Sequence, residues 1–231
     1  MSVCRSAVLV LAAASFAAVL GCQAPSTRVI DPLPPPIHDF PGAEPPAPAV
    51  VPAPAPPPGE PAAPDPHAVW LPPNGISKRW TTIVIHHTAT DFGSAATIDR
   101  WHRDKGWDGL GYHFVIGNGT ETPDGAVEVG FRWREQVHGA HCRLSEADAR
   151  RQGLRDTNHY NEHGIGIVLV GNFQHSRPTE RQMASLVELV SFLMKRCGVP
   201  ASRVVGHGEV DQTKCPGRNF DVSALRRRLG P

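Results

Sequence analysis

Two short apolar runs far apart in the chain each end in histidine, and a cysteine follows the second. "TTIVIH" closes on His86, with His87 directly after it; "RVVGH" closes on His207; and Cys215 follows in "GHGEVDQTKCPG", ahead of Pro216 and Gly217. Val, Ile and Thr favour strands, and Pro-Gly forces a turn. Neighbouring strand ends that open on one edge of a sheet bring such donors together. Adjacent strand residues point to opposite faces, so His86 and His87 do not enter the same site, and parity alone does not choose between them. Two imidazoles and a thiolate suit zinc, and three protein ligands with a fourth position open is the catalytic arrangement rather than the closed structural one. Taken singly these residues say little: a strand-end His is ordinarily a surface or satisfied core residue, and a lone Cys a small buried hydrophobe. The H-x7-C spacing is not a zinc-finger spacing. The same residues also admit a cysteine hydrolase, with Cys215 as nucleophile and His207 as base, which thiol alkylators would inactivate and chelators would not.

The elements that must hold these donors are legible from periodicity. Ser94 caps a helix that runs to about Lys105, with Ile98 and Trp101 facing the core and Gly106 ending it. "GYHFVI" reads as a strand with Tyr112 and His113 on opposite faces, and "AVEVGFRW" as another strand ahead of the "VHGAHC" turn. "IGIVLVGNF" is nearly all apolar, the pattern of a central strand buried on both faces. Thr179 and Gln182 form a capping box for the longest helix, which runs to about Arg196 with Gly198 beyond it. Its core face is Met183, Leu186, Val187, Val190, Leu193 and Met194. A short helix after Asp221 closes the chain, with Arg226, Arg227 and Arg228 as its solvated end.

Five stretches in order, "IVIHHTAT", "GWDGLGYHFVIGNGT", "VHGAHC", "NEHGIGIVLVGNF" and "GHGEVDQTKCPG", resemble the zinc-dependent N-acetylmuramoyl-L-alanine amidases, a superfamily that includes phage amidase lysozymes and animal peptidoglycan-recognition proteins. The resemblance covers roughly residues 76 to 225. It implies an α/β fold, a central mixed β-sheet flanked by helices, in a single domain. It also implies zinc as cofactor, held by the first His of "HHTA", the His of "GHGE" and the Cys of "KCPG", which are His86, His207 and Cys215. The implied reaction is cleavage of the amide between N-acetylmuramic acid and L-alanine of the peptidoglycan stem, with zinc acidifying water and polarising the carbonyl. The oxyanion needs donors beside the metal. Tyr112 is the first candidate, and Thr213 the second, at the position where phage enzymes carry Lys and recognition proteins often Thr; Lys214 is one step later. By the same resemblance His141 lines the cleft and contacts substrate. Cytosolic recycling amidases carry a catalytic Glu in the central strand and Asp as third ligand; Val168, Val170 and Cys215 put this chain nearer the phage and recognition-protein branch. Non-catalytic binding modules of the superfamily typically lose the Cys ligand, which this chain keeps.

The N-terminal third has a different character. Arg5 precedes an apolar, Ala-rich segment, Ala7 to Leu20, that fits the core of a signal peptide and is short for a membrane span. "VLGC" resembles a bacterial lipobox, so residues 1–21 read as a lipoprotein signal and Cys22 as the lipidated first residue of an exported protein, attached to the membrane through its lipid. Gln23 rather than Asp after the Cys favours, by resemblance, the outer membrane, facing the periplasm. Residues 22–69 read as a Pro/Ala-rich tether: nineteen of the twenty-four prolines lie between Pro25 and Pro73. As polyproline II, about 45 residues reach on the order of 140 Å. Residues 70–231 are then the zinc domain, large enough for its own core. Net charge is +1, so bulk electrostatics point to no nucleic acid. The expected partners are peptidoglycan and its muropeptides, and the expected state a monomer. Of five cysteines, Cys142 and Cys197 are left without a role, free to pair only if their Cα atoms approach within about 7 Å.

Overall fold

The computed structural model describes residues 65–230. The segment Ala7–Leu20, Cys22 and the Pro/Ala-rich stretch as far as residue 64 lie outside the described residues.

Five short strands form one mixed sheet: β1 (Thr82–His87), β2 (Phe114–Ile116), β3 (Val127–Val129), β4 (Gly164–Leu169) and β5 (Val204–Gly206), in the order β3-β2-β4-β1-β5. β4 runs parallel to β1 and β2, β5 parallel to β1, and β3 antiparallel to β2. The long apolar run is indeed the middle strand, with all six residues buried. Around the sheet lie α1 (Ala95–Asp104), α2 (Phe131–Arg134), α3 (Glu146–Arg151), α4 (His159–His163), α5 (Glu180–Cys197), α6 (His207–Val210) and α7 (Val222–Leu229).

Period-two alternation divides the strands between two faces. Ile83 and Ile85 of β1 and Ile165, Ile167 and Leu169 of β4 pack with Leu186, Leu189, Val190 and Leu193 of α5 in the main core. Each such fully buried side chain contributes roughly 1.5–3 kcal/mol. α5 is fixed at both ends: the Thr179 hydroxyl accepts from Gln182 N, the Gln182 side chain accepts from Thr179 N, and Gly198 closes the helix at φ +70°. Gln182 Nε2 also donates to the carbonyls of Ile116 and Val170, pinning the helix to the ends of two strands. On the opposite face Val84 packs with Cys142, Leu144, Ala149, Tyr160 and Val210, while Val115, Val168 and Val170 pack with Ile98 and Leu110.

Two elements differ from the sequence reading. "AVEVGFRW" is a strand only as far as Val129; Phe131 to Arg134 form a helical turn. Arg132 and Trp133 are both buried although adjacent, which a strand with one buried face does not permit and a turn of helix does. "GYHFVI" pairs only from Phe114, so Tyr112 and His113 precede the strand, and their rings approach His141 with centroids 6.3 and 5.7 Å away. Cys142 and Cys197 are free thiols in different apolar clusters, one on each side of the sheet.

The first described residues are anchored. Asp65 pairs with Arg196 and His67 with Glu188, and Trp70 packs edge-on against Phe192, all on α5. The Trp133 indole donates to the Trp70 carbonyl.

Candidate metal centre

β1 delivers the first donor. His86 shares the face of Val84, while His87 turns to the main core, where its Nδ1 accepts the Phe173 N–H at 3.0 Å and its ring lies 5.8 Å from the Phe173 ring. The choice that strand parity leaves open is thereby made. His86 is 1% exposed, with Nε2 at 3.1 Å from His141 Nδ1 and Nδ1 at 3.7 Å from Cys215 Sγ.

The second donor sits on the edge strand's exit. β5 ends at Gly206, and His207 is the first residue of α6 rather than the last of the strand. Glu209 holds this corner: its carboxylate accepts the Gly206 N–H at 2.7 Å and is gripped by Arg226, with Nη2–Oε2 at 2.5 Å and Nη1–Oε1 at 3.1 Å. Arg226 also donates to the Val204 carbonyl. It is therefore not part of a solvated helix end but a brace across α7, β5 and α6.

The third donor returns to meet the second because residue 208 is glycine. Gly208 N donates to the Cys215 carbonyl at 2.6 Å, and a Cβ there would lie 2.7 Å from the Thr213 carbonyl oxygen and 2.8 Å from that of Cys215. Thr213 Oγ1 accepts the Cys215 N–H at 3.3 Å, Gln174 Nε2 donates to the Lys214 carbonyl, and Cys215 Sγ accepts the His87 N–H at 3.4 Å.

The donor atoms of His86, His207 and Cys215 lie within 4.8 Å of one another, the one such grouping among the described residues. Zinc bond lengths of about 2.0 Å to nitrogen and 2.3 Å to sulfur put a tetrahedral N–S edge at roughly 3.6 Å, close to the 3.7 Å between His86 Nδ1 and Cys215 Sγ. His207 Nε2 is buried without a hydrogen bond, and Asp211 Oδ2 lies 3.4 Å away, near enough to act by charge. The donor set fits zinc in type, number and spacing.

Electrostatics agree. Burial, reinforced by His141, His207 and His87, lowers the His86 pKa, and burial lowers that of His207 against the opposing Asp211 carboxylate, so both rings are neutral donors at neutral pH. Burial pushes the Cys215 thiol up to about 12, with the His87 N–H opposing. A nucleophilic cysteine requires the reverse shift, so the cysteine-hydrolase reading loses its activated thiol. A cation among these donors would supply what the thiolate lacks.

The remaining sequence candidates surround this cluster. The half-buried Tyr112 ring lies 5.2 Å from that of His86 and borders an opening of about 430 Å³ shared with Thr88, Thr90, Trp101 and Lys105. Burial, with the Cys215 charge adding, raises its phenol above the ordinary tyrosine value. His141 borders a second cleft of about 540 Å³, with Trp107, Asp108, His138, Asn158 and Glu162, but both its ring nitrogens are engaged inside the protein: Nε2 lies 3.2 Å from the Gly164 carbonyl. Burial drops its pKa to about 3. Thr213 is exposed, its hydroxyl oxygen serving the ligand loop. Sequence reading missed Glu209, Arg226 and Asp211. The one local signal was the spacing in "GHGE", which places a Glu three residues after the helix-opening Gly as in a capping box.

A mixed sheet carries two imidazoles just at and beyond the ends of adjacent parallel strands, with a thiol on the loop after α6, beside a tyrosine and open clefts, the donor set of a candidate metal centre. The family model described as N-acetylmuramoyl-L-alanine amidase matches residues 77–218. The chain belongs to that family. Among relatives, an N-acetylmuramoyl-L-alanine amidase of Sus scrofa is 30% identical over 148 residues, 58% of this chain and 21% of that protein. Peptidoglycan-recognition protein SC2 of Drosophila melanogaster is 32% identical over 147 residues, 59% of this chain and 68% of that one. The solved structure of N-acetylmuramoyl-L-alanine amidase LysC from Clostridium intestinale URNW superposes with a TM-score of 0.52 at 30% identity, covering 67% of this chain and 89% of that one. The match thus spans about a fifth of the pig enzyme and most of the LysC chain.

Proposed function

We propose that the protein is a zinc-dependent N-acetylmuramoyl-L-alanine amidase acting on peptidoglycan. The observation that carries this reading is the convergence of His86, His207 and Cys215 within 4.8 Å, with a nitrogen–sulfur separation suited to zinc. The chemistry supplied by bound zinc is acidification of water and polarisation of the amide carbonyl. The chain's own residues do the rest. His86 and His207 bind as neutral rings, and Cys215 as the thiolate, oriented by the His87 N–H. Tyr112, kept protonated by burial, donates its O–H to the oxygen that gains charge as the amide carbon becomes tetrahedral. Thr213, whose oxygen already accepts from Cys215 N, holds the ligand loop and keeps its own hydrogen for a substrate or water acceptor. The clefts beside Tyr112 and His141 give glycan and peptide two directions of approach.

Export, and attachment through a lipid on Cys22, complete the proposal; incorporation of labelled palmitate that is lost in Cys22→Ala tests them. For the activity, zinc content and muropeptide products are measured on the full chain with and without chelator. One equivalent of zinc and chelator-sensitive release of stem peptides are expected. Bound wall fragments without cleavage would make the chain a binding module, and cleavage surviving complete removal of zinc would sink the mechanism.

A further inference from the structure

The His141 imidazole is wholly occupied inside the protein, and its two contacts have a direction. Its Nε2 lies 3.2 Å from the Gly164 carbonyl oxygen and its Nδ1 3.1 Å from His86 Nε2. A carbonyl only accepts, so the His141 proton sits on Nε2, and Nδ1 presents a lone pair. His86 must then donate from Nε2, which leaves its Nδ1 unprotonated on the side where Cys215 Sγ lies 3.7 Å away. The other tautomer of His86 would turn an N–H towards the thiol and His207, where no metal can bind it.

The surroundings leave the His141 ring one place to lie. It fills a slot between two glycines: a Cβ on Gly139 or on Gly166 would stand 2.4 Å from His141 Cδ2. Glycine inside a strand ordinarily weakens it, and its use in β4 marks a close approach. Asn161 fixes the backbone, its Oδ1 accepting the N–H groups of His141 and Cys142 at 2.8 Å each.

We infer that His141 is a positioning residue: the chain Gly164 carbonyl, His141, His86 fixes His86 in the tautomer whose Nδ1 is free to bind metal, and Gly139, Gly166 and Asn161 build the slot that aims it. The inference rests on the reading of His86, His207 and Cys215 as zinc donors. Here His141 acts through His86 rather than on substrate.

The test uses the full chain, stripped of metal, as wild type, His141→Phe and His141→Asn. Phe keeps the ring and removes both nitrogens; Asn places an amide oxygen near the position of Nδ1 and can still accept from His86. Nitrogen-15 chemical shifts of the metal-free proteins report the His86 tautomer, and titration against a chromophoric chelator reports zinc affinity. The wild type is expected to show His86 protonated on Nε2. His141→Phe is expected to lose that preference and about 10–100-fold in zinc affinity, the usual scale for a lost partner behind a ligand, with His141→Asn recovering most of it. A wild-type His86 protonated on Nδ1, unchanged affinity in His141→Phe, or equal losses in both variants would overturn the relay. Absence of zinc binding by the wild type would instead overturn the metal reading, with the tautomer spectrum still deciding the relay. Should His141→Phe fail to fold, Gly166→Ala displaces the ring without removing a nitrogen and is expected to weaken zinc in the same direction; unchanged affinity there also counts against the relay.

Discussion

The two faces of the sheet are built from alternate residues of the same strands and solve opposite problems. Towards α5, β1 and β4 present Ile83, Ile85, Ile165, Ile167 and Leu169, and the gap is filled by interlocking aliphatic side chains. Towards the site the same strands present Val84, His86, Gly164, Gly166 and Val168, and the space left at Gly166 is taken by the His141 ring, that at Gly164 by the Tyr160 carbonyl. One face derives its order from volume, the other from hydrogen-bond direction. The difference teaches that removing a side chain from the first should cost stability and from the second chemistry.

Cys215→Ala should break the site face most completely: zinc binding and amide hydrolysis are expected to be lost, while the thermal unfolding of the metal-free protein changes little. Muropeptide release comparable to wild type would refute the proposed role of the thiolate. Ile167→Ala, one residue from the metal-side face, should instead cost about 2–5 kcal/mol in denaturant unfolding, with zinc affinity of the folded fraction preserved. Comparable loss of zinc affinity there would show that the two faces are not separable. Tyr112→Phe is expected to lower kcat by about 10²–10³-fold with KM nearly unchanged, the signature of a donor that acts on developing charge. A change in KM alone would assign the ring to substrate packing.

The smallest effect concerns protons. His113 is buried on the site side, its Nδ1 accepting from Gly166 N and its Nε2 facing the Val137 carbonyl. Burial, with His141 adding, holds its pKa well below 6.5. The unfolded chain therefore takes up a proton before the folded one as pH falls. Stability from this group is present above about pH 6.5 and is lost below it, with a slope of up to about 1.4 kcal/mol per pH unit. Chemical unfolding of metal-free protein between pH 7 and 5 measures the slope, and His113→Asn should flatten it. A slope unchanged by that variant would assign the acid sensitivity to other groups.

Much of this architecture was legible because both histidine donors follow apolar runs and the longer helices carry their own caps. Thr179–Gln182 and Gly198 bound α5 by local chemistry alone, and Ser94 does the same for the start of α1. Parity could say that His86 and His87 diverge but not which face holds the site, since that depends on where β4 and β5 lie. The helical turn at Phe131–Arg134 was hidden because its burial depends on distant partners: Arg132 donates to the carbonyls of Leu110 and His138, and Trp133 to that of Trp70. Arg226 was misread for the same reason, its partner Glu209 lying on another element. The role of His141 was invisible without knowing that two glycines face its ring.

The anchoring of the first described residues has a mechanical meaning. Asp65, His67 and Trp70 grip Arg196, Glu188 and Phe192 of α5, on the sheet face away from the donor cluster. A force applied at Asp65 would thus be received by the longest helix and the aliphatic core. The loop that carries Cys215, secured separately through Gln174, Gly208 and His87, takes none of that load directly. Strain applied at residues 65–70 would therefore be spent on the aliphatic side of the sheet before it could reach the spacing of His86, His207 and Cys215.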